Sequence, residues 1–106
     1  LLFFSTASFG QQTNLFPVYP GGKAGYINEQ GKIVIEPQFL AAYKFSEGLA
    51  VVRIAGTYGY INESGKVVIP AEYDFALPFS EGLAIVYKEA KPFFINALGQ
   101  KVFDHE

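Results

Sequence analysis

Two separate blocks of this chain return at one spacing. Gly25-Tyr26-Ile27-Asn28-Glu29-Gln30-Gly31-Lys32 recurs as Gly59-Tyr60-Ile61-Asn62-Glu63-Ser64-Gly65-Lys66, 34 positions on. Phe45-Ser46-Glu47-Gly48-Leu49-Ala50 recurs unchanged as Phe79-Ser80-Glu81-Gly82-Leu83-Ala84, at the same distance. One period shared by two blocks defines a tandem repeat, and a period of this size points to a stacked array. Each unit must bury its apolar face against a neighbour, so the array is what folds.

The period reaches beyond the identical blocks. Tyr60-Ile61-Asn62 falls on Phe94-Ile95-Asn96, Gly65 on Gly99, and Leu49 and Val52 fall back on Leu15 and Val18. Residues 15–106 thus hold a partial unit, two full units and a further partial one. A start at Leu1 and an end in mid-unit predict a piece of a longer array.

Within a unit the pattern reads as β. Leu49 to Ile54 and Lys66 to Ile69 are rich in β-branched residues, and Tyr58 to Ile61 lies between them. Asn62-Glu63-Ser64-Gly65 suits a type I turn closed by a glycine at positive φ, with counterparts ending at Gly31 and Gly99. The sequence predicts an all-β fold: three-stranded antiparallel meanders, one per unit, in an open array. Strands are expected near 49–54, 58–62 and 66–69, with Ala50, Val52, Ala84 and Val86 inward and Arg53 and Tyr87 outward. The connection from Pro70 to Gly82, with two prolines, is expected as a loop pinned by Tyr73, Phe75 and Phe79. Phe39 and Phe45 echo those rings. One helical turn fits near 39–43 or 73–77.

The blocks resemble the WG repeat family of bacterial tandem modules. The match rests on Gly25-Tyr26-Ile27-Asn28, Gly59-Tyr60-Ile61-Asn62, Gly31-Lys32, Gly65-Lys66 and both Phe-Ser-Glu-Gly-Leu-Ala blocks. It spans roughly residues 15–106. The tryptophan that names the family is replaced by Ala24, Tyr58 and Pro92, and the third unit has Phe93 for the following glycine. The resemblance implies a β-rich repeat fold and an interaction role, and it brings no catalytic residues with it.

Composition narrows the chemistry. Half of the 106 residues are apolar, with eleven Phe and seven Tyr, which supports a packed core. Eight basic and ten acidic residues are interspersed, so the basic stripe of a nucleic-acid binder is missing. Without cysteine there is no disulfide, thiolate metal site or thiol nucleophile. The only histidine, His105, sits at the end of the chain, which argues against a Ser-His-Asp triad. Asn28, Glu29, Asn62 and Glu63 read as turn residues and not as metal ligands. Glu47, Glu72, Asp74 and Glu81 include enough carboxylates for a glycosidase pair. Glu47 and Glu81, however, repeat in a Ser-Glu-Gly corner, as solvated turn residues do. The glycines recur singly, so no phosphate-cradling loop and no cofactor are expected.

Tyr26, Tyr60 and Phe94 form one aromatic position per unit. They are expected in the core, bound by apolar contact because Phe94 has no hydroxyl; an exposed, coplanar sugar-stacking ladder is the alternative.

The first 22 residues are uncharged. Leu1 to Phe9 form a short apolar run, and Ser8 and Gly10 have the spacing of an export cleavage site. Residues 1–10 are therefore expected to be a truncated signal peptide, leaving Gln11 first, and no stretch is long enough to span a bilayer as a helix. Together these features predict a non-catalytic module of an exported bacterial protein (periplasm, cell surface or extracellular) that binds a protein or envelope component. The alternative is an accessory module, such as a carbohydrate-binding one, of an envelope enzyme.

Overall fold

The computed structural model describes residues 14–103. The expected signal segment, residues 1–10, and His105 lie outside them. Among the described residues eleven strands make three antiparallel sheets. The first contains β1 (Phe16–Val18), β2 (Ala24–Ile27) and β3 (Ile33–Phe39). The second is ordered β4 (Ala41–Ala42), β5 (Ala50–Ile54), β6 (Thr57–Ile61) and β7 (Val67–Tyr73). The third repeats that order with β8 (Phe75–Ala76), β9 (Leu83–Lys88), β10 (Lys91–Asn96) and β11 (Lys101–Val102). Each sheet is an up-and-down meander of contiguous chain, and the array is open.

The connection departs from expectation. β3 and β7 run on to Phe39 and Tyr73, through Pro37 and Pro70, and no helical turn forms at 39–43 or 73–77. Both strands lie at sheet edges, where a missing N–H costs no ladder bond. The next residues then add a two-residue strand to the following sheet: Ala41 and Ala42 pair with Arg53 and Val52, Phe75 and Ala76 with Tyr87 and Val86. Phe39, Tyr73 and Phe79 are buried as anchors and Phe45 partly so, but Phe75 is exposed.

Two cores lie between the three sheets. One gathers Tyr26, Ile35 and Phe39 of the first sheet against Ala50, Val52 and Ile61 of the second. The other gathers Val51, Tyr60, Ile69 and Tyr73 of the second against Ala84, Val86 and Ile95 of the third. Most of the second core is the first moved by 34 residues, with Val51, the counterpart of Pro17, an addition. Neighbours such as Val51 and Val52, or Tyr60 and Ile61, point to opposite cores, as the two-residue period requires. Ala50, Val52, Ala84 and Val86 are buried as expected, but Val51 is buried too. The middle sheet is covered on both faces, which explains its unbroken apolar runs.

The repeated residues each have a local task. Gly31, Gly65 and Gly99 have φ of 81°, 90° and 83° and close the Asn-led turns. Asn62 works through its side chain as well: Oδ1 accepts the N–H groups of Ser64 and Lys66, and Asn28 and Asn96 do likewise. Gly25 and Gly59 sit where a bulge presses β2 on β3 and β6 on β7. A Cβ on Gly59 would lie 2.6 Å from the Ile69 carbonyl oxygen and 2.7 Å from the Ala71 nitrogen. In the third unit, among the described residues, β10 pairs with β11 at Phe94 and Ile95, and Phe93 stands in place of this glycine.

Candidate functional site

Of the aromatic column expected in the core, Tyr26 and Tyr60 are buried there and Phe94 is not. Tyr26 and Tyr60 have no exposed surface, and each meets a phenylalanine edge to face at 4.9 Å, Phe45 and Phe79 respectively. Their hydroxyls donate to the carbonyls of Tyr43 and Leu77, both at 2.6 Å. Two of the three units therefore share the phenolic hydrogen bond that Phe94 had argued against. Burial pushes both phenols far above their ordinary value of 10.0. A phenolate at either place would face a carbonyl oxygen with no proton between them. Phe94 is 38 % exposed, since among the described residues no further sheet covers it.

The carboxylates weighed for hydrolysis fall in two places, Glu47 and Glu81 at the corner turns and Glu72 and Asp74 beside β9. Ser46-Glu47-Gly48-Leu49 is a two-residue hairpin closed by reciprocal Ser46–Leu49 backbone bonds, with Glu47 at φ 57° and Gly48 at 81°. Both central residues are left-handed, as a type I′ turn demands, and glutamate occupies that region at a cost. The side chain offsets it. Glu47 Oε1 accepts the Gly82 N–H at 2.9 Å, and Oε2 accepts the Glu81 N–H. The Ser46 hydroxyl donates to the Phe79 carbonyl at 2.7 Å. One corner thus clips the next, across one repeat. Asp74 Oδ2 caps the Glu89 N–H at 2.7 Å, and Glu72 makes a long surface ion pair of 4.0 Å with Lys88. Glu81 is an exposed turn residue at φ 54°. Among the described residues no group of three acidic or histidine side chains is arranged to hold a metal.

The described surface carries a different aromatic feature along one edge of the array. Tyr43 and Phe75 are 44 % and 43 % exposed. Tyr58, half-buried, links them: it interacts with Tyr43 through their hydroxyls, and its ring meets Phe75 at 5.5 Å and 72°. Phe75 meets Tyr87 at 6.2 Å and 56°, and the Arg53 guanidinium lies 5.9 Å from the Tyr58 ring centre. Tyr19 begins the row, its hydroxyl accepting the Ala42 N–H at 3.1 Å. Burial, then the Tyr58 hydroxyl, raises the Tyr43 phenol. Sequence spacing hides this row because its five rings come from five segments and gather only when the sheets stack. The available signal is negative: these positions break the repeat. Tyr19 corresponds to Arg53 and Tyr87, Ala24 to Tyr58 and Pro92, Ala41 to Phe75, and Tyr43 to Leu77.

Stacked three- and four-stranded meanders related by 34 residues, with the corner of the second clipped to that of the third, define a tandem β-repeat array. The model of the WG containing repeat matches residues 25–58 and 58–91, well over half of the chain, and the chain belongs to that family. No curated protein and no solved structure matches it.

Proposed function

We propose that the chain is a non-catalytic interaction module of an exported bacterial protein, and that it binds a protein partner along the aromatic edge. The observation that supports this is the division of labour between positions. Residues that repeat from unit to unit are occupied by cores, turns and corner clips. Exposed aromatics and Arg53 stand at positions that differ between units. Large amphipathic rings with a guanidinium among them are the side chains that dominate protein recognition. Exposure also favours the carbohydrate-binding reading, in an accessory module of an envelope enzyme. The interplanar angles of 72° and 56° weigh against it, because sugars stack on flat, coplanar rings.

Photo-crosslinking from benzoylphenylalanine in place of Tyr43 or Phe75, in the full-length protein in its own cells, tests the proposal. One discrete protein adduct is expected, lost when Tyr58→Ala accompanies the probe. Adducts to glycan alone would transfer the role to the carbohydrate-binding reading. A pattern no different from that of a probe at Leu98, an exposed turn position, overturns both. Export rests on the uncharged segment and its small-residue spacing. Mass spectrometry of the mature protein should find Gln11 first, and retention of Leu1 to Gly10 would refute it.

A further inference from the structure

One position of the aromatic edge carries charge. Tyr19, Arg53 and Tyr87 are the same residue of three successive units, so the row sets a guanidinium between two phenol rings. Strand pairing decides what surrounds it. Arg53 stands opposite Ala41 on β4 and opposite Tyr58 on β6, and directly opposed residues of antiparallel strands share a face. Ala41 is small where the third unit has Phe75, which leaves room beside the guanidinium. The Tyr58 ring lies on its other side, with 5.9 Å between guanidinium carbon and ring centre. Arg53 is exposed, and its side chain forms no ion pair and no hydrogen bond among the described residues. It belongs to the middle sheet, at the hairpin end of β5 and β6. A further unit stacked on either outer face of the array therefore leaves its surroundings unchanged.

The polar groups nearest to it have protons to give. The Tyr43 and Tyr58 hydroxyls face each other; two facing hydroxyls share one proton and leave the other to donate outward. Arg53 lies close enough to the Tyr43 hydroxyl to act on it electrostatically. The Tyr19 hydroxyl accepts the Ala42 N–H at 3.1 Å, and its own proton reaches the Ala42 carbonyl only across a long 3.5 Å. A planar fork of N–H groups with phenol protons beside it complements an oxyanion. Charge then chooses among oxyanions. The cluster brings one positive charge, and the Tyr87 end of the same edge carries Glu72, Asp74 and Glu89 against Lys88, itself 4.0 Å from Glu72. A phosphate dianion would face those carboxylates with one of its charges unmatched. A sulfate ester spreads its single charge over three weakly accepting oxygens. A carboxylate has one charge, two strong acceptors and the geometry of the fork.

We infer that Arg53 receives a carboxylate of the partner protein, at its chain end or on an aspartate or glutamate, while the flanking rings take that partner's apolar side chains. The inference rests on the reading of this edge as a protein-binding surface and adds the chemistry of what is bound.

NMR titration of the full chain with small acids tests this. Acetylphenylalanine offers a chain-end carboxylate and acetyl-glutamyl-phenylalaninamide a side-chain one; the neutral twins are acetylphenylalaninamide and the glutaminyl peptide. For at least one acid the Arg53 Nε–H and the amides of Tyr43, Tyr58 and Phe75 should shift together and saturate. Its affinity should exceed that of its twin by about tenfold, and the better acid tells chain end from side chain. Arg53→Gln should remove that preference and leave the melting midpoint where it is, whereas Lys88→Gln should keep the preference. Acids that bind no better than their amides overturn the inference. Equal weakening by both variants also does so, since attraction by overall charge would act that way. Tighter binding of phenyl phosphate or phenyl sulfate replaces the carboxylate with a phosphorylated segment or a sulfated glycan. In cells, Arg53→Gln should diminish the adduct formed by benzoylphenylalanine at Phe75. An undiminished adduct refutes the inference and leaves the reading of the edge intact, while a parent without any adduct removes that reading and the partner named here with it.

Discussion

At the scale of single residues, glycine shows how one local rule produces different costs. Gly31 and Gly65 close the same turn at similar φ, so alanine at either strains the backbone by about 1 kcal/mol. Gly65 carries a second load, because its Cβ would press on Ile35 Cγ2 at 3.1 Å. Gly65→Ala should therefore lower stability by more than Gly31→Ala, as read from the midpoints of chemical denaturation. Equal shifts would mean that Ile35 yields freely. Gly59 has no need of positive φ, yet alanine there is expected to be worse than at either turn, because its Cβ would lie 2.6 Å from a main-chain oxygen. Backbone cannot rotate away as a side-chain tip can. Phe93 stands at the corresponding position of the third unit.

At the scale of elements, β6 couples two cores through adjacent side chains. Tyr60→Ala empties a ring-sized space in the second core and should cost about 3–5 kcal/mol. Tyr60→Phe keeps the ring and leaves the Leu77 carbonyl without its donor, at about 1–3 kcal/mol. Thermal melts that place Phe beside the parent would show that water reaches that carbonyl. Much of this element structure was legible in the sequence. The period set the sheets, β-branched runs set the strands, and the Asn-to-Gly spacing set the turns, because each rests on contacts only a few residues apart. Other features were not legible. Pro70 reads as a strand stop, opening a connection expected as a loop, because a sequence does not say which strand is at an edge. The pairs Ala41-Ala42 and Phe75-Ala76 are too short for any periodicity and exist only through pairing with β5 and β9. Alternation sent Val52 inward and left Val51 outside, where stacking of a further sheet buries it. The exposed row from Tyr19 to Tyr87 escaped notice for the same reason, since contact between sheets decides which rings stay at the surface. Burial of Tyr26 and Tyr60 was legible, but their shared acceptor was not, because it lies 17 residues on in a stretch read as loop.

At the scale of the whole molecule, stability is a sum of sheet cores and of the clips between them. Glu47→Gln should weaken the link between the second and third corners by about 0.5–1.5 kcal/mol. Native-state hydrogen exchange would then quicken in β9 and β10 and leave β2 unchanged; a uniform change across the chain would mean that the corners do not couple sheets individually. Alkali should act on the cores themselves. In the folded chain Tyr26 and Tyr60 keep their protons well above the ordinary 10.0, while in the unfolded chain they ionise there. Their contribution is intact below about pH 10. Above it the unfolded chain binds fewer protons than the folded one, so stability falls as pH rises toward the raised folded values. Each phenol can add a slope of up to about 1.4 kcal/mol per pH unit. Tyr60→Phe should remove one such slope, and an unchanged alkaline transition would show that Tyr60 does not titrate with unfolding. One further property follows from the way each sheet is made of contiguous chain with no strand exchanged between sheets. Pulled from its ends, the molecule has no cross-braced element to fail at once. It should pay out in discrete lengths, roughly 110–120 Å of extended chain for each repeat period, and re-coil in the same increments. Such a molecule is a yielding tether, able to lengthen under load while the units still stacked keep their shape.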